Sequence, residues 1–113
     1  MSYTEKFAET RNNLRNLRKA VPETFAGFVS LEKAASADGA LSLKQKELIA
    51  LGISVALRCE DCIISHAGAC HRAGVTREEL AEALGTAIQM SGGPGLMYAG
   101  KALAVYDELT DDD

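Results

Sequence analysis

Ser42-Leu-Lys-Gln-Lys-Glu-Leu-Ile-Ala-Leu-Gly-Ile-Ser-Val-Ala-Leu57 decides the fold class. Its first four residues have the form of a capping box, in which the Ser42 hydroxyl reaches the amide of Gln45 and the Gln45 side chain reaches back. The spacing predicts a helix from Leu43 to about Leu57. From Leu48 onward the stretch is apolar on every side, the pattern of a central buried helix. This run is about half of what a bilayer span needs, so no membrane partner is expected. Glu47 stands at its edge.

Outward from this helix the same period continues. On the N-terminal side, Thr4 to Ala20 carries Phe7, Leu14 and Leu17 among many charges, a weakly amphipathic helix with a narrow apolar stripe. Val21-Pro22-Glu23 starts another helix with proline at its first position, where the missing N–H costs nothing, and Asp38-Gly39 ends it. Phe25, Phe28, Val29 and Leu31 give it an apolar face. On the C-terminal side a helix begins near Cys59 or Glu60 and stops at Gly74. A second capping box, Thr76 with Glu79, opens a fifth, with Leu80, Ala83, Leu84, Ala87 and Ile88 at helical spacing. Ser91 to Gly95 reads as a turn, Leu96 to about Leu109 as a sixth helix, and Asp111 to Asp113 as a frayed end. No segment alternates with a period of two. The expectation is an all-α, single-domain bundle of about six helices spanning 1–113, with 1–21 as an N-terminal helix.

The composition agrees. A chain of 113 residues, 47% apolar and 25% charged with two prolines, is one globular domain. A net charge of −4, with the basic residues interspersed among acidic and amide residues near the N-terminus, argues against nucleic acid as a partner. Met1 to Arg18 is polar and lacks the apolar core of a secretion signal, so a cytoplasmic location is expected. Three cysteines in such a chain point to redox, catalytic or metal chemistry before a structural disulfide framework.

Two of those cysteines lie directly after the buried helix, in Arg58-Cys-Glu-Asp-Cys-Ile-Ile-Ser-His66. Cys59 and Cys62 have the spacing at which two thiols at a helix start can close a small disulfide ring. His66 follows one turn after Cys62, on the same face, where an imidazole can take a thiol proton. Helix-start amides stabilise a thiolate, Glu60 and Asp61 oppose it, and Arg58 partly offsets them.

Other readings of the same residues are weaker. Zinc held by Cys59, Cys62, His66 and Cys70 fails on distance, because eight helical residues separate Cys62 from Cys70 by about 12 Å. A c-type haem needs histidine directly after the second cysteine, where Ile63 stands. A thioredoxin-like unit needs a strand. No cofactor or metal is expected. On the residues alone, Cys62 and His66 could still be a buried small residue and a core histidine, and Glu47 an exposed helix glutamate beside Lys44 and Lys46. Lodged against the apolar run, Glu47 would instead be partly desolvated, as suits a proton acceptor or donor. Cys70 reads as a packed small residue.

The placed set Glu47, Cys59-x-x-Cys62 and His66 resembles the alkyl hydroperoxidase D-like group of the carboxymuconolactone decarboxylase family. The similarity runs on through Lys44 to Leu51, Ala73 to Leu84 and Gly92-Gly-Pro94, covering roughly Pro22 to Leu109. It implies that Cys62 is attacked by hydroperoxide, that Cys59 resolves the sulfenic acid to a disulfide, and that His66 and Glu47 relay protons. Asp61 departs from the pattern, since peroxidase members of the group carry a histidine immediately before the second cysteine.

The expected function is a thiol-dependent antioxidant oxidoreductase that reduces hydroperoxides or passes electrons to a peroxidase partner, drawing on an unidentified electron-donor protein. The alternatives are a lactone-decarboxylase-like lyase using His66 and Glu47, and a redox sensor or disulfide-exchange partner. The apolar central helix, with Phe7, Leu14 and Tyr98, predicts burial between subunits of a homo-oligomer, and the resemblance implies a trimer or hexamer.

Overall fold

The computed structural model describes residues 1–111 and forms from them five helices, α1 (Tyr3–Ala20), α2 (Pro22–Ser36), α3 (Leu43–Ala56), α4 (Glu60–Arg72) and α5 (Arg77–Thr110). No strand occurs among the described residues. Of the acidic end expected to fray, Asp111 is described and the last two residues lie outside the described range.

Local chemistry sets the helix starts. The expected capping boxes are present at Ser42–Gln45 and Thr76–Glu79, and a third, Ser2–Glu5, starts α1. Pro22 takes the first position of α2. At the other end of the chain, Glu108 docks α1: its carboxylate accepts the Tyr3 amide at 3.2 Å and the Thr4 amide at 3.1 Å. This is an anion at a helix N-terminus, where free N–H groups and the macrodipole favour negative charge.

The sixth helix expected from Leu96 is the continuation of α5. Gly92 alone leaves helical geometry, at φ 67° and ψ −146°, and the chain resumes its helix on the far side, with Pro94 inside. Glycine tolerates that positive φ, and proline lacks the N–H that would bond to the carbonyl four residues back. Together they make a kink where a full turn was expected.

The core forms where α3, α4 and α5 meet. Leu51 and Val55 from α3, Ile63 and Ala67 from α4, and Leu80, Ala102 and Val105 from α5 are fully or almost fully removed from solvent. Tyr3 and Phe7 from the first half of α1 pack against this cluster. The buried Tyr106 hydroxyl donates to the Val75 carbonyl at 2.8 Å, tying α5 to the α4–α5 link.

Burial of α3 on all sides is not what one chain achieves. Its far face stays open, with Ile49 50%, Ile53 54% and Leu57 69% exposed. The face expected on α2 is likewise uncovered, Phe28 being 62% and Leu31 64% exposed. The reason is placement: α4 and α5 cover one side of α3, while α2 only touches α3 and leaves the other side open.

Candidate functional site

The site begins at the corner between α3 and α4, where the chain has only Leu57, Arg58 and Cys59 in which to turn. The Arg58 amide donates to the Val55 carbonyl and the Cys59 amide to the Ser54 carbonyl, each at 3.1 Å. This pair of bonds is a Schellman closure, whose turning residue sits in the left-handed region. Here that residue is Arg58, at φ 57°, the one non-glycine residue with positive φ among those described. The equivalent corner after α4 uses Gly74. A side chain in that conformation costs about 1–2 kcal/mol.

The corner delivers Cys59 as the N-cap of α4 and Cys62 three residues into the helix. Cys59 Sγ accepts the Cys62 amide at 3.2 Å. The two cysteines are joined as a disulfide with Cα atoms 5.2 Å apart. Both are partly accessible.

The acidic pair between them is partnered from outside the motif. Glu60 meets Lys6 of α1 and Lys101 of α5, each at 3.2 Å. The Lys101 hydrogen bond, with that of Lys6, holds the Glu60 carboxyl below the ordinary carboxylate range. Asp61 accepts the Thr10 hydroxyl at 2.8 Å. The Asp61 carboxylate thus serves as a tether to α1. The two lysines that meet Glu60 are far away in sequence.

His66 and Glu47 meet across the α3–α4 seam, with His66 Nδ1 2.8 Å from Glu47 Oε2. The Glu47 side chain is 14% exposed and that of His66 33%, so the pair is sheltered but still reachable from solvent. With Nδ1–H donating to the carboxylate, Nε2 is left as the proton acceptor, the arrangement in which a carboxylate fixes an imidazole tautomer. His66 lies one turn along α4 from Cys62, about 6 Å of axial rise.

Cys70, two turns beyond Cys62, is fully buried. Burial, reinforced by the negative charge of Glu47, pushes its thiol up to about 12. It is a core residue, and the sequence expectation of a packed small side chain describes it. Among the described residues no group of three or more histidine, cysteine or acidic side chains is arranged to hold a metal ion. None of the helices among the described residues is long and apolar enough to cross a membrane. An apolar groove of about 420 Å³ runs between α3 and α5, past Ile49, Ile53 and Met90, and none of Glu47, Cys59, Cys62 and His66 lines it.

All four residues singled out in the sequence therefore lie at the α3–α4 junction, two as a disulfide and two as a hydrogen-bonded pair. The Lys6–Glu60–Lys101 bridge and the Thr10–Asp61 bond were missed, because nothing in local spacing announces a partner 41 to 54 residues away. The strained Arg58 carries a weak signal: a helix that ends with no glycine directly after it.

Fold and site together define a small all-helical protein with a dithiol at a helix N-terminus and a carboxylate–imidazole pair one turn away. The chain belongs to the carboxymuconolactone decarboxylase family, whose model matches residues 22–105. A family member from Legionella pneumophila superposes with a TM-score of 0.93 at 44% identity, covering 96% of each chain. Another, from Thermotoga maritima, superposes with a TM-score of 0.83 at 33% identity over 94% of this chain and 91% of its own. That protein has been suggested to take part in an antioxidative response. An uncharacterized protein of Cupriavidus necator is 42% identical over 104 residues, 92% of either chain.

Proposed function

We propose that the protein is a dithiol-dependent oxidoreductase that reduces hydroperoxides, or passes electrons to a peroxidase, through Cys59 and Cys62. The observation that carries this reading is the Cys59–Cys62 bridge one helical turn from the His66–Glu47 pair. The suggested antioxidative role of the Thermotoga maritima relative supports the same direction.

His66 takes the Cys62 proton through Nε2, and the thiolate attacks the terminal oxygen of the hydroperoxide. The O–O bond breaks, the alkoxide leaves with a proton returned by His66, and Cys62 is oxidised by two electrons to a sulfenic acid. The Cys59 thiol then displaces water from that sulfur and closes the disulfide. A donor dithiol attacks the disulfide and restores both thiols, being oxidised in turn. Glu47 acts through His66, holding its ring and balancing the imidazolium charge.

The open apolar faces of α2 and α3 support a homo-oligomer, a trimer or hexamer by the family resemblance, in which these surfaces are covered. Light scattering of the purified chain tests this, and a stable monomer overturns it. For the chemistry, peroxide consumption driven by a small dithiol reductant is compared with that of Cys62→Ser. Loss of turnover is expected, and equal turnover in the variant rules the mechanism out.

A further inference from the structure

We infer that the seam between α1 and α4 holds a second binding site, separate from the dithiol, for a short-chain monocarboxylate. A cavity of about 140 Å³ lies there, closed on its third side by α5. At the ~30 Å³ that a water-sized group occupies in a liquid, it accommodates about five such groups. A four-carbon acid has six non-hydrogen atoms, so its chain fills this space and its carboxylate reaches the rim.

The lining divides into a charged rim and an apolar floor. Arg11 comes from α1 and Arg72 from the last turn of α4, and both guanidiniums border the cavity. Neither forms an ion pair among the described residues, although the same seam is bonded elsewhere by Lys6–Glu60 and Thr10–Asp61. Arg11 lies over the Phe7 ring, 5.1 Å from its centroid, which leaves its N–H edge free to bind. An anion between Arg11 and Arg72 would accept hydrogen bonds from both guanidiniums. Ser65, whose hydroxyl has no hydrogen-bond partner among the described residues, borders the same space and adds a neutral donor. Below the rim, Phe7, Ile64 and Leu109 form a floor with no polar side-chain atom.

Gly68 makes the room at the rim: a Cβ built there would lie 3.2 Å from Arg72 Nη1, close enough to push on that guanidinium, and 3.7 Å from Leu109 Cδ1, an ordinary contact. A charged head at the arginines and a few methylenes on the floor satisfy both halves of the lining. Inorganic anions use only the first half, and neutral amides only the second.

Titration calorimetry at low chloride with sodium butyrate, butyramide and inorganic phosphate tests the assignment. Saturable binding of one butyrate per chain is expected, with butyramide and phosphate each weaker by about tenfold or more, as befits loss of a charge-assisted contact or of the buried tail. Arg72→Gln should weaken butyrate by about tenfold. Gly68→Ala, which adds a helix-favouring residue and so preserves the fold, should weaken it as well. Absence of butyrate binding overturns the proposal. So does phosphate binding as well as butyrate, which marks an adventitious ion only, or butyramide binding as well as butyrate, which marks an apolar crevice only. Butyrate affinity unchanged in Arg72→Gln, with helicity unchanged, overturns it too.

Discussion

Replacing Glu47 with glutamine tests the core of the proposed mechanism, because it keeps the shape of the side chain and removes only its charge. The contact at stake is the 2.8 Å hydrogen bond to His66 Nδ1. A hydrogen bond to a charged group contributes about 1.5–3 kcal/mol, and the partial exposure of His66 places this one near the lower end. If that whole contribution is expressed while His66 carries the thiol proton, about 1.5 kcal/mol corresponds to a roughly tenfold slower attack. The assay is single-turnover: the chain is reduced, mixed with hydrogen peroxide, and the rate of Cys59–Cys62 closure is followed by quenching and mass spectrometry. Because Glu47 acts through His66, the two changes should not add. In a His66→Gln background, Glu47→Gln should slow the reaction by no more than about twofold. A single-variant loss below about threefold, or an undiminished tenfold loss in the His66→Gln background, would refute the relay.

Three further outcomes follow from the same geometry. With the Cys70 thiol pushed up to about 12, iodoacetamide at pH 8 should modify Cys59 and Cys62 of the reduced native chain and reach Cys70 only in denaturant; rapid native labelling of Cys70 would contradict its burial. Glu60 is held below its ordinary 4.5 by Lys101 and Lys6, so the stability it lends is present above that value and lost as pH falls through the lower folded one. Urea midpoints measured at descending pH should therefore fall less steeply for Glu60→Gln than for the native chain, and parallel profiles would show that the bridge contributes nothing. Asp61→His should raise peroxide turnover by about tenfold or more if a second imidazole joins the relay, and unchanged turnover would show that Asp61 is not what limits it.

The helical class was legible because capping chemistry is local. Ser42 with Gln45 and Thr76 with Glu79 each sit within the first turn of their own helix, α3 and α5, so four residues of sequence contain the whole interaction. Burial was less legible. The run from Leu48 to Leu57 reads as apolar all round, yet the fold lays mainly α4 and α5 against one side of it, leaving Ile49, Ile53 and Leu57 open. Periodicity reports which faces are apolar and is silent on how many neighbours exist to cover them. The kink in α5 shows a related limit: Gly92, Gly93 and Pro94 announce a break, but only the geometry shows that the helix continues beyond it. The pairing of Glu47 with His66, 19 residues apart on different helices, was reached through family resemblance and not through spacing.

The α3–α4 corner explains why the dithiol stands where it does. A chain leaving α3 at Ala56 and entering α4 at Glu60 must reverse within three residues, and the Schellman closure does this at the expense of one left-handed residue. Glycine would remove the strain, as Gly74 does at the next corner. Arg58 persists because bonds on both sides over-determine it: Arg58 and Cys59 donate back into α3, while Ile63 donates to the Cys59 carbonyl at 2.9 Å from within α4. The same bonds fix Cys59 as the N-cap, which brings its sulfur against the Cys62 amide. Cysteines eight residues apart on one helix thereby acquire opposite chemistries. Cys62 sits in the first turn of α4, partly accessible and bridged to the N-cap Cys59, whereas Cys70 lies deep in the core, where burial and the Glu47 charge keep its proton on.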